Sequence, residues 1–144
     1  MKIHLATDHA GYEHKETLKA HLLEQGHEVV DHGALSIDEN DDYPDFVTPC
    51  AHAVAADTNA FGIVFGGSGQ GEAMCANRIR GVRAVVYYGG PTDILTYSRE
   101  HNNANILSLG ARFIPMEEVA IHADMWLQTG FSGADRHTRR LNKF

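Results

Sequence analysis

The sequence predicts an α/β protein: a single-domain, Rossmann-like three-layer αβα sandwich around a five-stranded parallel sheet. Three observations carry this. Short apolar runs of strand length alternate with helical patterns from end to end, which is the signature of parallel strands joined by crossover helices. The 144 residues contain no Pro/Gly/Ser-rich linker, so one core suffices and the domain is read as residues 1–144. Polar and glycine-rich stretches follow the apolar runs at Asp8-His9, Gly66 to Glu72, the residues after Tyr87, and Gly110-Ala111-Arg112. These lie at the carboxyl ends of strands, where open α/β sheets bind ligands.

Strands are expected over Lys2–Thr7, Glu28–His32, Phe61–Phe65, Arg83–Tyr87 and Asn105–Leu109. The first crossover helix, Tyr12–Gln25, sets Leu18 and Leu22 one turn apart and stops at Gly26, which suits the position just past a helix end. After Tyr43-Pro44, residues Phe46, Cys50, Ala53 and Val54 share a helical face, although Pro49 lies inside the pattern. Either Thr48-Pro49 opens that helix or Pro49 bends its first turns. A third helix is expected from about Glu72, burying Cys75 and Ile79. A fourth runs from Pro91, a residue suited to the first helical position, toward Glu100. The fifth covers Pro115–Leu127, with Met116, Val119, Ala120, Ala123 and Leu127 at helical spacing. A last turn or helix follows Ser132.

Composition narrows the function. Nineteen acidic residues against twelve basic give a net charge of −7, which disfavours nucleic acid and anionic membrane surfaces as partners. Two cysteines, both in helix-like patterns, suit a reducing cytoplasm better than a disulfide framework. No apolar run approaches a signal peptide or a membrane span, so the protein is expected to be soluble and cytoplasmic.

Gly66-Gly67-Ser68-Gly69-Gln70-Gly71-Glu72 is the most telling segment. Glycine lets the backbone approach a ligand closely, so several N–H groups can face an anion or a developing oxyanion, with a carboxylate beside it. The loop lacks the Lys-Ser/Thr of a phosphate-binding P-loop and misses the G-x-G-x-x-G register of dinucleotide sites. Its bland alternative is a tight turn with Glu72 as an ordinary first-turn acid. Asp8-His9 has an equally plain reading as a helix cap, and His101-Asn102-Asn103 as a helix C-terminus. A histidine there is also suited to proton transfer near neutral pH. Arg112 follows the fifth strand, and Arg136, Arg139 and Arg140 fall on one helical face, a cluster suited to an anionic small substrate. Ten histidines are present, but neither H-E-x-x-H nor C-x-x-C, so no metal site and no cofactor are expected.

Together these motifs resemble the ribose-5-phosphate isomerase B family, which includes galactose-6-phosphate isomerase subunits and allose-phosphate isomerases. The resemblance rests on Asp8-His9-Ala10-Gly11, Asp42-Tyr43-Pro44, Gly66 to Glu72, Ala76-Asn77-Arg78, Arg99-Glu100-His101-Asn102-Asn103, Gly110-Ala111-Arg112 and Arg136-His137-x-x-Arg140, and spans essentially the whole chain. Many members carry a cysteine base where this chain has Gly66; the sequence looks like a branch whose glycine-serine loop ends in Glu. The resemblance implies that Glu72 is the base and that His101 opens the sugar ring. Ser68 and the amides of Gly67, Gly69, Gln70 and Gly71 would hold substrate oxygens. Asp8 would contact a ring or hydroxyl oxygen, and Tyr43 would border the pocket. His9, Arg112, Arg136 and Arg140 would hold the phosphate. It further implies interconversion of ribose 5-phosphate and ribulose 5-phosphate through a cis-enediolate, without metal. The family's homodimers, or dimers of dimers, share sites between subunits, so His101, Asn102 and Arg112 would act in a partner's pocket, and residues from about 131 to 144 would serve phosphate binding and dimerisation. A four- or six-carbon sugar phosphate, and a non-catalytic phosphate-binding module on a flavodoxin-like fold, remain as alternatives.

Overall fold

The computed structural model describes residues 1–144. The chain runs β1 (Lys2–Thr7), a 3-10 turn (His9–Gly11), α1 (Tyr12–Glu24), β2 (Glu28–Asp31), α2 (Pro44–Ala56), β3 (Ala60–Gly66), α3 (Gln70–Ala76), β4 (Ala84–Tyr87), α4 (Asp93–Glu100), β5 (Ile106–Gly110), α5 (Met116–Gln128) and α6 (Asp135–Leu141). All five strands are parallel, in the order β2-β1-β3-β5-β4.

Right-handed crossovers explain the layers. From β1 to β2 and from β4 to β5 the chain steps one way along the sheet, so α1 and α4 cover one face. From β2 toward β3 and from β3 to β4 it steps the other way, so α2 and α3 cover the opposite face. The core divides accordingly. Leu18, Leu22, Leu95, Val119, Ala123 and Trp126 pack on Ile3, Leu5, Ile63 and Leu107, whereas Val47, Cys50, Ala51 and Val54 pack on Ala6, Val64 and Ile106. No helix is long and apolar enough to cross a membrane.

The expected strands are all present, displaced by a residue at most at either end. The helices differ more. Pro44 opens α2, and Pro49 lies within it. Pro49 cannot donate to the carbonyl of Asp45, but both residues are exposed, on the solvent side of the helix, where a missing backbone bond costs least. The buried face is Val47, Cys50, Ala51 and Val54, with Phe46 and Ala53 only half-buried. α3 begins at Gln70 and turns Glu72, Ala73 and Ala76 inward, leaving Cys75 and Ile79 half-buried. Thr92 caps α4, so Pro91 stands outside it rather than at its first position. Trp126 and His122, unforeseen as core, are buried on α5.

Candidate active site

β3 delivers the glycine loop to the carboxyl edge of the sheet, where Gly66 pairs with Gly110 of β5. The loop is then tied down from below: Ala111 N–H donates to the Gly66 carbonyl at 2.9 Å and Arg112 N–H to the Gly67 carbonyl at 3.1 Å. At Gly69 the backbone reaches φ +77, the left-handed region that glycine takes at little cost, and the Ser108 hydroxyl donates to its carbonyl at 2.6 Å. That turn lets α3 start at once, and its first turn folds Glu72 back over β3.

Glu72 is buried, and its carboxyl lies against the Cα of Gly66, in the space that a Cβ at that position would need. Burial pushes its pKa up. Its own backbone N–H pulls the other way, and the nearby Asp8 charge adds to the rise. The competition between a helix start, which favours the carboxylate, and desolvation, which favours the acid, is thus won by desolvation.

β1 places Asp8 beside this carboxyl. Asp8 does cap the following turn, its Oδ1 accepting from Ala10 N–H at 3.0 Å, but it is also buried within the same group as Glu72. His9 comes next, held by Asp41 of the segment between β2 and α2. Asp41 Oδ1 accepts from both the His9 backbone N–H (3.1 Å) and Nδ1 (2.6 Å). This pair raises the His9 pKa, with Asp8 assisting and Arg112 opposing. The ligand-bearing atoms of Asp8, His9 and Asp41 lie within 4.8 Å of one another. The second oxygen of Asp41 is buried without a partner. Nothing in the acidic run Asp38 to Asp42 singles out Asp41 by spacing, which is why it was missed.

Tyr43 and Arg112 flank the loop. The Tyr43 hydroxyl is 2.6 Å from where a Cβ on Gly71 would sit, and the Arg112 guanidinium carbon is 3.2 Å from the same point on Gly67. Ser68 is half-buried, its Oγ accepting from Gln70 N–H at 3.4 Å, and Gln70 is exposed at the rim. One chain therefore gathers Asp8, His9, Asp41, Tyr43, residues 67 to 72 and Arg112 at one edge of the sheet.

The remaining expected residues are elsewhere. α4 runs against the strands and ends at His101, so His101 and Asn102 lie at the amino edge, roughly 20 Å from Glu72 by the length of β3. Ser132 bonds back to the Glu100 carbonyl, and the ring of His137 stacks on His101 at 4.3 Å, which brings α6 with Arg136 and Arg140 to that same amino edge. Tyr97 stacks on the other face of His101 at 4.8 Å. Burial, His101, Arg136 and Arg140 all push the His137 pKa down. Arg112, in contrast to His101 and Asn102, stands beside the loop of its own chain.

The family model described as Ribose/Galactose Isomerase matches residues 3–144. Ribose-5-phosphate isomerase B of Mycobacterium tuberculosis (strain ATCC 25618 / H37Rv) is 42% identical over 142 residues, covering 99% of this chain and 86% of that protein. The crystal structure of ribose-5-phosphate isomerase B from Mycoplasma genitalium with bound ribulose-5-phosphate superposes with a TM-score of 0.93 at 36% identity, over 99% of this chain and 92% of the other. The Thermotoga maritima enzyme gives 0.90 at 42%, over 99% and 95%. Sheet order, glycine loop and nearly every residue are covered by these matches, and the chain belongs to the Ribose/Galactose Isomerase family.

Proposed function

We propose that this protein is an aldose–ketose isomerase that interconverts ribose 5-phosphate and ribulose 5-phosphate through a cis-enediolate, with Glu72 as the base. The observation that carries the assignment of the base is the buried Glu72 carboxyl, raised in pKa and seated over Gly66 beside the glycine loop. A carboxylate desolvated in this way is a stronger base near neutral pH than an exposed one. Once the ring is open, it takes the proton from the carbon next to the carbonyl and returns it to the neighbouring carbon. The N–H groups of Gly67 to Gly71 then face the enediolate oxygen, an effect typically worth about 3 kcal/mol per donor. Asp8 and Ser68 bond substrate hydroxyls, and Tyr43 walls the pocket.

His9, whose protonated form the Asp41 carboxylate favours, and Arg112 supply positive charge for the phosphate. Ring opening falls to His101, with Asn102 beside it, and further phosphate contacts to Arg136 and Arg140. Because these four lie at the opposite sheet edge, they serve the site of a second copy. The protein is then a homodimer whose segment 131 to 144 contributes to phosphate binding and to the contact between copies. The cytoplasm, where both cysteines stay free, is its compartment. Replacing Glu72 by Gln keeps the shape and removes the base. Turnover of ribose 5-phosphate should fall about 10³-fold while its dissociation constant changes little. Turnover near the wild-type rate would refute the assignment.

A further inference from the structure

At the amino edge of the sheet, a cavity of about 410 Å³ opens between the end of α2, the start of β3 and the turn after α4. Arg83, Arg99, Asn103 and Asn105 supply its main polar walls, and no carboxylate lines it. Neither guanidinium has a carboxylate oxygen within 4.0 Å, in a chain whose net charge is −7.

The two arginines are held firmly but not neutralised. Arg99 is buried, and its Nε donates to the Thr129 carbonyl at 3.0 Å. Its Nη1 donates to the Asn103 side chain at 3.3 Å and to the Ala104 carbonyl. Its guanidinium lies over the rings of Phe61 (4.7 Å) and Trp126 (5.4 Å). Arg83 donates through Nε to the Asn103 carbonyl at 2.8 Å and through Nη1 to the Gly81 carbonyl at 3.3 Å. A guanidinium has five N–H donors, and Nη2 of each arginine bonds nothing in the chain. Burial lowers both pKa values, and the Arg83 charge lowers that of Arg99 further. Carbonyl dipoles and ring faces soften this charge without cancelling it.

We propose that the cavity is a binding site for a small oxyanion, a phosphate monoester or a carboxylate, bridged between Nη2 of Arg83 and Nη2 of Arg99. Guanidinium groups match both oxyanions in geometry, and the volume falls within the range of small-molecule pockets. A bound anion supplies the counter-charge that the fold leaves out.

Trp126 is the only tryptophan, and its contact with Arg99 makes it a local reporter. The intact protein is titrated with inorganic phosphate and, separately, with citrate, with chloride holding ionic strength constant. A saturable change in Trp126 emission is expected. It should need about tenfold more anion in Arg83→Gln, since a charged hydrogen bond is lost, and it should persist in Arg112→Gln, where only the glycine-loop side is altered. A response to phosphate alone or to citrate alone supports the site and identifies which oxyanion it takes; a response to both supports a general oxyanion site. No saturable change, an undiminished response in Arg83→Gln, or its disappearance in Arg112→Gln overturns the proposal. Should Arg83→Gln fail to fold by circular dichroism, the ¹⁵N-arginine spectrum of the wild type decides. The Nε–H signals of Arg83 and Arg99 must move with phosphate or citrate and not with chloride, and their failure to move is equally fatal.

Discussion

A Cβ added to Gly66 would overlap the carboxyl of Glu72, so the two positions share one volume. A side chain at 66 and an inward-facing carboxyl at 72 therefore compete for one space. The clash falls on the far end of a flexible side chain rather than on backbone, so Gly66→Ala should fold with little change in melting temperature. Its carboxylate, however, must swing away by an ångström or more, and kcat should fall about 10²-fold. Steady-state rates beside a thermal melt check this; a melt that collapses together with activity would mean the glycine serves the fold instead. Asp41 makes a second residue-scale case. Its pair with Nδ1 raises the His9 pKa, so protonated His9 persists above its ordinary value near 6.5 and is lost only as pH rises through the raised one. In Asp41→Asn the alkaline limb of kcat/KM should move to lower pH and KM should rise, with kcat less affected. An unmoved limb would sever His9 from substrate binding.

Among the elements, the strands were legible because a parallel strand buried on both faces reads as an unbroken apolar run, as Phe61–Phe65 does. Helix faces were harder. At α3 the buried face is Glu72, Ala73 and Ala76, with Glu72 only about 60° around the helix from the expected Cys75, and an offset that small is beyond what one apolar pair, Cys75 and Ile79, can resolve for a seven-residue helix. The β1–β2 pair holds a feature that no periodicity reveals: His4 Nδ1 and His32 Nε2 meet at 2.9 Å, while His4 Nε2 is buried without a partner. One N–H and one lone pair make this bond, so a second proton breaks it. Desolvation lowers both pKa values, and the two rings further oppose each other's charge at His4. The unfolded chain therefore takes up protons as pH falls through about 6.5 while the folded pair resists until the lowered values are reached. Stability is intact above that window and declines within it, by about 1.4 kcal/mol per pH unit for each proton bound only by the unfolded chain. Denaturant midpoints measured between pH 7.5 and 5.5 should fall less steeply in His32→Asn than in the wild type. Parallel curves would exclude the pair as the source.

For the molecule as a whole, the sheet fixes what one chain cannot do. Glu72 follows β3 at the carboxyl edge and His101 closes α4 at the amino edge, and no rearrangement short of unfolding joins them within one copy. The sequence displayed both motifs plainly, but their separation depends on the direction in which α4 crosses the sheet and on α6 docking beneath it through Ser132 and His137. If sites are shared, Glu72→Gln and His101→Asn are defective in different copies' contributions. Each variant alone should be nearly inactive. When the two are unfolded together and refolded, half of the dimers are mixed, and each mixed dimer contains one site with an intact Glu72 and an intact His101. The recovered activity should approach about a quarter of the wild-type value, the product of those two halves in a two-fold assembly. A mixture no more active than its components would show that His101 works within its own chain or not at all, and would require another group for ring opening.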